Sequence, residues 1–86
     1  MSMQKEFEEA VVRSKQLTKR PENEDLLKLY SFFKQATEGD VSGERPGGFD
    51  FKGAAKYDVW ESIRGMSSEE AMTNYIELVN ELHAKE

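Results

Sequence analysis

Tyr30 and Lys34 stand four residues apart, which on a helix puts them on one face, and Lys56 and Tyr57 are adjacent in a later segment. Lysine offers phosphate oxygens a mobile point charge, while tyrosine both stacks on a planar base and donates a hydrogen bond. A ligand with phosphates and an aromatic base suits that set. The same residues would also be satisfied as solvated lysines around ordinary core aromatics. Catalytic chemistry finds less support. The chain has no cysteine, which removes thiolate nucleophiles, disulfides and thiolate metal sites. Its one histidine, His83, falls in the last turn of a candidate helix, where a cationic ring at the surface suits the negative helix end. Glu8 with Glu9 and Glu69 with Glu70 read as solvated helix surface, so no acid/base pair stands out. The glycines form neither GxxxxGK(S/T) nor GxGxxG, and no serine-nucleophile motif occurs. No catalytic residue, metal site or cofactor is therefore expected.

The elements that must position these residues belong to a chain of 86 residues, read as one domain over residues 1–86. A net charge of −5 repels a phosphate backbone at long range, so nucleic acid is not an expected partner and an anionic ligand must meet a local cationic patch. The first residues lack an apolar signal region, and no apolar run reaches membrane-spanning length. Together with the absence of cysteine, this reads as a cytoplasmic chain without stable membrane insertion.

Phe7, Ala10, Val11, Ser14 and Leu17 recur at three and four residues, predicting an amphipathic helix from Met3 to Leu17. Asn23 is the expected cap of a second helix, with Glu24 and Asp25 in its first turn, an apolar set from Leu26 to Ala36, and Gly39 as its stop. Asp40 to Phe51 holds three glycines and a proline without helical periodicity and reads as a loop. Its length is unusual for a compact domain and suits a wall around a ligand. Asp50 is the expected cap of a third helix that turns Ala55, Val59, Trp60 and Ile63 inward and stops at Gly65. Ser67 and Glu70 form a capping-box signature before a fourth helix, whose inner face carries Ala71, Tyr75, Leu78 or Val79, and Leu82. No segment alternates like a half-buried strand, so the expected fold is all-α with four helices.

The stretches LLKLYSFFKQATEGD, Leu26 to Asp40, and ERPGGFDFKGAAKYDVW, Glu44 to Trp60, closely resemble the acyl-CoA-binding protein family. The likeness continues through Gly65 to Glu69, through AMxxYI at Ala71 to Ile76, and at Phe7. It implies a four-helix bundle in an up-down-down-up arrangement, with the long connection helping to form a ligand bowl. It also implies that Tyr30, Lys34 and Lys56 hold the adenosine 3'-phosphate region of CoA, with Lys15 at a basic position near the head group. Tyr75 matches a tyrosine near the ligand, and Phe7, Ala10, Val11, Leu27 and Phe33 match positions around the acyl chain or adenine. The implied function is binding of medium- to long-chain fatty acyl-CoA by a monomeric carrier and pool former, without turnover and with transient contacts to acyl-CoA-using enzymes.

Three residues depart from the family pattern: Ala54 stands where a lysine is common, Tyr57 where a tryptophan is, and Phe33 where a tyrosine is frequent. A missing cation at residue 54 would weaken phosphate attraction, and Phe33 keeps a stacking face but lacks a hydroxyl. Two other functions remain open from the residues themselves. One is a helical module whose aromatic groove accepts an amphipathic helix. The other is an acyl-CoA-processing enzyme such as a thioesterase, for which the sequence supplies no nucleophile.

Overall fold

A computed structural model describes residues 2–86. Four helices, α1 (Met3–Ser14), α2 (Asn23–Glu38), α3 (Phe51–Glu61) and α4 (Ser68–Ala84), form the fold, with no strand among the described residues. The chain is all-α, as its periodicity predicts.

α4 is the shared support. It packs against both α1 and α2, and α2 in turn packs against α3. Its Ala71 and Val79 have no exposed surface, and Met72, Tyr75 and Leu82 join them under Phe7 and Ala10 of α1 and Leu29 and Ala36 of α2. Val79, rather than Leu78, takes the innermost position. The α1 backbone makes no close approach to α2 or α3 among the described residues. Only side chains bridge part of that gap, notably the stacked rings of Phe7 and Phe33, 5.9 Å apart.

At the other end of α2, the long connection is pinned by a polar cluster. Gln35 is 1 % exposed and donates through Nε2 to Asp40 Oδ1 and to the Met66 carbonyl, both at 2.9 Å. Trp60 Nε1 donates to Gln35 Oε1 at 3.0 Å and to the Gly39 carbonyl at 2.9 Å. Asp40 also accepts from the Gly65 amide at 2.7 Å. The cluster thus ties α2, the start of the loop, α3 and the turn before α4, and no buried side-chain polar atom among the described residues is left unpartnered. Further along the loop, Arg45 grips Asp58 of α3 with two bonds of 2.8 and 3.0 Å.

The Gly65 amide and then the Gln35 amide hold the Asp40 carboxyl below the usual carboxylate range. A depressed folded-state pKa stabilises fully above the ordinary carboxylate value and loses that contribution as pH falls through the folded value. Below about pH 4 the melting temperature should therefore fall in part through Asp40. Thermal unfolding followed by circular dichroism from neutral pH to strong acid checks this. Asp40→Asn, whose amide oxygen still accepts both bonds, should show a shallower acid limb. The remaining slope should come from Asp58, lowered by Arg45, and from Glu86, lowered chiefly by the Lys19 amide.

Helix ends depart from the sequence expectations in specific ways. α1 stops at Ser14, short of Leu17, where the Ser14 hydroxyl donates to the Val11 carbonyl at 2.7 Å and the amides of Lys15 and Gln16 reach back three residues. Asn23 is the first helical residue of α2, and Glu22 is its N-cap. The Asn23 side-chain oxygen Oδ1 accepts from Arg20 Nη2 at 3.2 Å and makes no cap to the helix. Ser67 and Asp50 do cap, accepting from the Glu70 and Gly53 amides at 3.0 and 2.9 Å.

α3 ends at Glu61, four residues before Gly65, which instead closes the following turn with φ of +91°. It buries Ala54 and Trp60, whereas Ala55, Val59 and Ile63 are only half-buried. The reason is that α3 packs on α2 alone, so its buried stripe is narrow and its flanks stay open. His83 also differs from a simple surface residue. It is half-buried, and its Nε2 lies 2.9 Å from the Arg13 carbonyl, which can only accept, so that nitrogen carries the proton and ties α4 to α1.

Candidate functional site

α2 carries more apolar residues than its contacts with α4 can cover. Leu29 and Ala36 turn to the core, while Leu26, Tyr30 and Phe33, spaced by four and three residues, share an outer stripe. Because α1 stands off from α2, this stripe floors an open cleft of about 440 Å³. Val11, Ser14 and Lys15 form the α1 wall, Lys56 the α3 wall, Pro21 closes the end between α1 and α2, and Tyr75 rises from α4. Phe33 is 37 % exposed, an apolar surface the fold leaves to solvent.

Tyr75 is firmly placed. Its ring meets Phe7 edge-on at 5.2 Å and Phe33 at 6.4 Å, and its hydroxyl donates to Ser14 Oγ at 3.1 Å. Burial pushes its phenol pKa up, so the group enters the cleft as a neutral donor. The Ser14 hydroxyl donates onward to Val11, which fixes the direction of the pair.

Along one rim two lysines flank a pair of aromatic rings. Lys56 Nζ lies over the Tyr30 ring at 5.3 Å, the Tyr30 and Trp60 rings meet edge-on at 6.5 Å, and Lys34 Nζ lies over Trp60 at 5.2 Å. Each cation–ring contact at such exposure contributes on the order of 0.5–1 kcal/mol, enough to orient a lysine and little enough to release it. Lys34 differs from Lys56 in one respect: it is also ion-paired with Glu38, one turn on along α2. Lys15, at the C-cap of α1, is exposed on the opposite lip.

A second groove of about 420 Å³ continues from the first across Leu26 and Lys56, which line both. Leu27, Ala55 and Phe51 supply its apolar surface, and Arg20, Lys52 and Lys56 its charges. The site is therefore two joined troughs, with cations at the rims and hydrocarbon on the floors. A separate recess of about 240 Å³ lies between Pro21 and Leu82, where the Glu86 carboxylate accepts from the Thr18 and Lys19 amides.

The structure thus brings together Tyr30, Lys56, Lys15, Tyr75, Val11 and Phe33 around one cleft, with Leu27 in the adjoining groove. Lys34 reaches the same rim through Trp60 without lining the cleft. Phe7 and Ala10 are 2 % and 1 % exposed and stand in the core, Phe7 directly behind Phe33 and Tyr75. Leu26, Pro21, Phe51, Lys52 and Arg20 line the site although the sequence reading did not single them out. The surplus of leucines at residues 26, 27 and 29 was the available signal, since three nearly consecutive apolar residues cannot all face one partner helix.

Of the departures from the family pattern, Ala54 is buried, so a lysine there would have to run out along its stem to reach solvent. The Tyr57 hydroxyl lies 3.4 Å from the Gly43 carbonyl and faces the loop, and Phe33 lies on the cleft floor. No group of three or more His, Cys, Asp or Glu among the described residues could hold a metal ion, and no helix is long and apolar enough to cross a membrane.

A small helical domain with an open amphipathic trough is a binding module by architecture. Residues 4–79 match the family described as Acyl CoA binding protein. The chain is 48 % identical over 82 residues to an acyl-CoA-binding protein of Brassica napus, covering 95 % of this chain and 89 % of that one. It is 44 % identical over 79 residues to acyl-CoA-binding protein homolog 1 of Caenorhabditis elegans, covering 92 % of each. The crystal structure of Oryza sativa acyl-CoA-binding protein 2 superposes with a TM-score of 0.92 at 44 % identity, covering 98 % of this chain and 93 % of that one. The chain belongs to the acyl-CoA-binding protein family, a family of binding proteins rather than catalysts.

Proposed function

We propose that the protein binds medium- to long-chain fatty acyl-CoA esters in the cytoplasm and acts, as a monomer, as their carrier and pool former, releasing them unchanged to acyl-CoA-using enzymes during transient contacts. One observation carries this reading: apolar floors and cationic rims run side by side through two joined troughs. Such a surface solves both solvation problems of an amphiphile at once, sheltering a hydrocarbon tail and meeting phosphates with positive charge. In this reading Tyr30 and Phe33 offer faces to the adenine, Lys56, Lys34 and Lys15 meet the phosphates, and Leu26, Leu27 and Ala55 shelter the tail.

The two rim lysines are not equivalent. Among the described residues Lys56 is held only by the Tyr30 face, whereas Lys34 must leave Glu38 before it can serve a phosphate. Lys56→Ala should therefore weaken palmitoyl-CoA binding by roughly ten- to a hundredfold, the range of a lost charge-assisted contact, and Lys34→Ala by less. Titration calorimetry at low and high salt checks this, because the wild-type advantage over Lys56→Ala should shrink as electrolyte screens the charge. Unchanged affinity in both variants would reject the phosphate site. Intact thioester after long incubation with the protein distinguishes a carrier from a hydrolase.

A further inference from the structure

Phe49 and Phe51 are 92 % and 74 % exposed, the most exposed large hydrophobic side chains of the described residues, and neither belongs to the core. Their rings meet edge-on at 6.4 Å, so they form one apolar knuckle at the start of α3 instead of two scattered contacts with water. The surroundings are cationic despite the chain's net charge of −5. Phe51 lines the second groove beside Arg20, Lys52 and Lys56, all exposed, and that groove has no carboxylate in its lining. The one carboxylate between the two rings, Asp50, turns back to accept from the Gly53 amide at 2.9 Å, where the positive helix end partly offsets its charge.

We propose that this knuckle is the surface by which the protein docks on an anionic lipid bilayer, with the Phe49 and Phe51 rings entering the interface and Lys52, flanked by Arg20 and Lys56, meeting lipid phosphates. Aromatic rings beside basic residues suit that boundary, where one part of the surface is apolar and the next carries negative charge. The choice of a bilayer over a protein partner follows from charge complementarity and from the continuity of Phe51 with the groove. The second argument rests on the acyl-CoA reading: a tail leaving the bilayer beside Phe51 enters the groove without crossing water.

The test is flotation of the whole chain with vesicles of phosphatidylcholine, with and without phosphatidylserine, in the absence of any acyl-CoA. Wild type should float with the phosphatidylserine vesicles and detach as salt is raised. Phe49→Ala should lower that partitioning by about tenfold, the fold-change for withdrawing one large side chain from burial. Lys52→Glu should abolish the preference for the anionic vesicles. Phe49 lines neither trough, so Phe49→Ala should bind palmitoyl-CoA in solution as wild type does. Wild type that stays unbound at low salt, or both variants floating like wild type, would overturn the docking surface. Wild type that floats as expected but fails to bind palmitoyl-CoA would sink the acyl-CoA reading and leave the docking surface standing.

Discussion

Lengthening the ligand from octanoyl-CoA to dodecanoyl-CoA should tighten binding by about two-hundredfold, and free CoA should bind far more weakly than either. Each methylene taken from water contributes roughly 0.8 kcal/mol, and a four-methylene extension roughly 3 kcal/mol. The gain requires a floor that is apolar and already open, so that no core residue must move to admit the tail. Leu26, Leu27 and Ala55 meet that condition, being half-buried and lining the grooves without belonging to the central core. The increase should flatten once the tail passes the end of the groove. Calorimetric titration across a series of saturated acyl-CoAs gives the slope and the break. A flat series would mean that the tail stays in water and that the cations alone hold the ligand.

The largest expected loss of stability comes from the polar cluster. Gln35→Ala removes one side chain from three hydrogen bonds, to Asp40, the Met66 carbonyl and Trp60, at the centre of a cluster that Gly39 and Gly65 extend through Trp60 and Asp40. Trp60 Nε1 keeps the Gly39 carbonyl and Asp40 keeps the Gly65 amide, but the Met66 carbonyl loses its side-chain donor and a small cavity opens. Stripping three bonds from a buried position and leaving a part-buried carbonyl without its donor costs about 1–3 kcal/mol, and the lost packing adds to it, for a total of about 3–5 kcal/mol. That is a large share of the roughly 5–15 kcal/mol typical of a domain. Trp60→Ala should destabilise by a similar amount, about 3–5 kcal/mol, by removing the ring that Tyr30, Lys34 and Gln35 all meet. Urea unfolding of both variants checks the magnitudes. Gln35→Glu separates bonding from shape: it is nearly isosteric, yet it sets a second carboxylate against Asp40 and should be no more stable than Gln35→Ala at neutral pH.

The sequence made the helices readable because their signals are local. Periodicity, the Ser67 and Asp50 caps and Gly39 each act within one turn, and each is found in its expected role. What was not readable depends on partners distant along the chain. No local pattern within KQAT marks Gln35 as buried, and its burial follows only once Trp60, Met66 and Asp40 converge on it. The inner face of α3 is only partly legible: Trp60 turns inward as expected, whereas Ala55, Val59 and Ile63 stay half-buried because nothing in their own sequence says that one helix alone will cover them. The place of His83 in α4 says nothing of its bond, which is to the Arg13 carbonyl of α1.

The candidate site shows the same division. Tyr30 and Lys56 stood out as an aromatic and a cation, and the resemblance singled them out too. The role of Leu26 and Pro21 becomes visible only when α1 stands away from α2 and leaves the cleft between them. The Glu38 partner of Lys34 illustrates the reverse: its spacing of four residues is legible in the sequence, but that the lysine meets the Trp60 ring as well as this carboxylate is a matter of three-dimensional fit.

The missing interface between α1 and the α2–α3 pair has a biological corollary under the proposed function. A cargo lodged there would touch all three helices and so act as the filling that the chain itself does not supply. Since such a cargo binds the native chain and not the unfolded one, its abundance adds directly to folding free energy. A cell short of fatty thioesters would then hold a carrier more open to proteases, and a replete one a carrier that lasts longer. Protein half-life would become a gauge of lipid supply with no dedicated sensor.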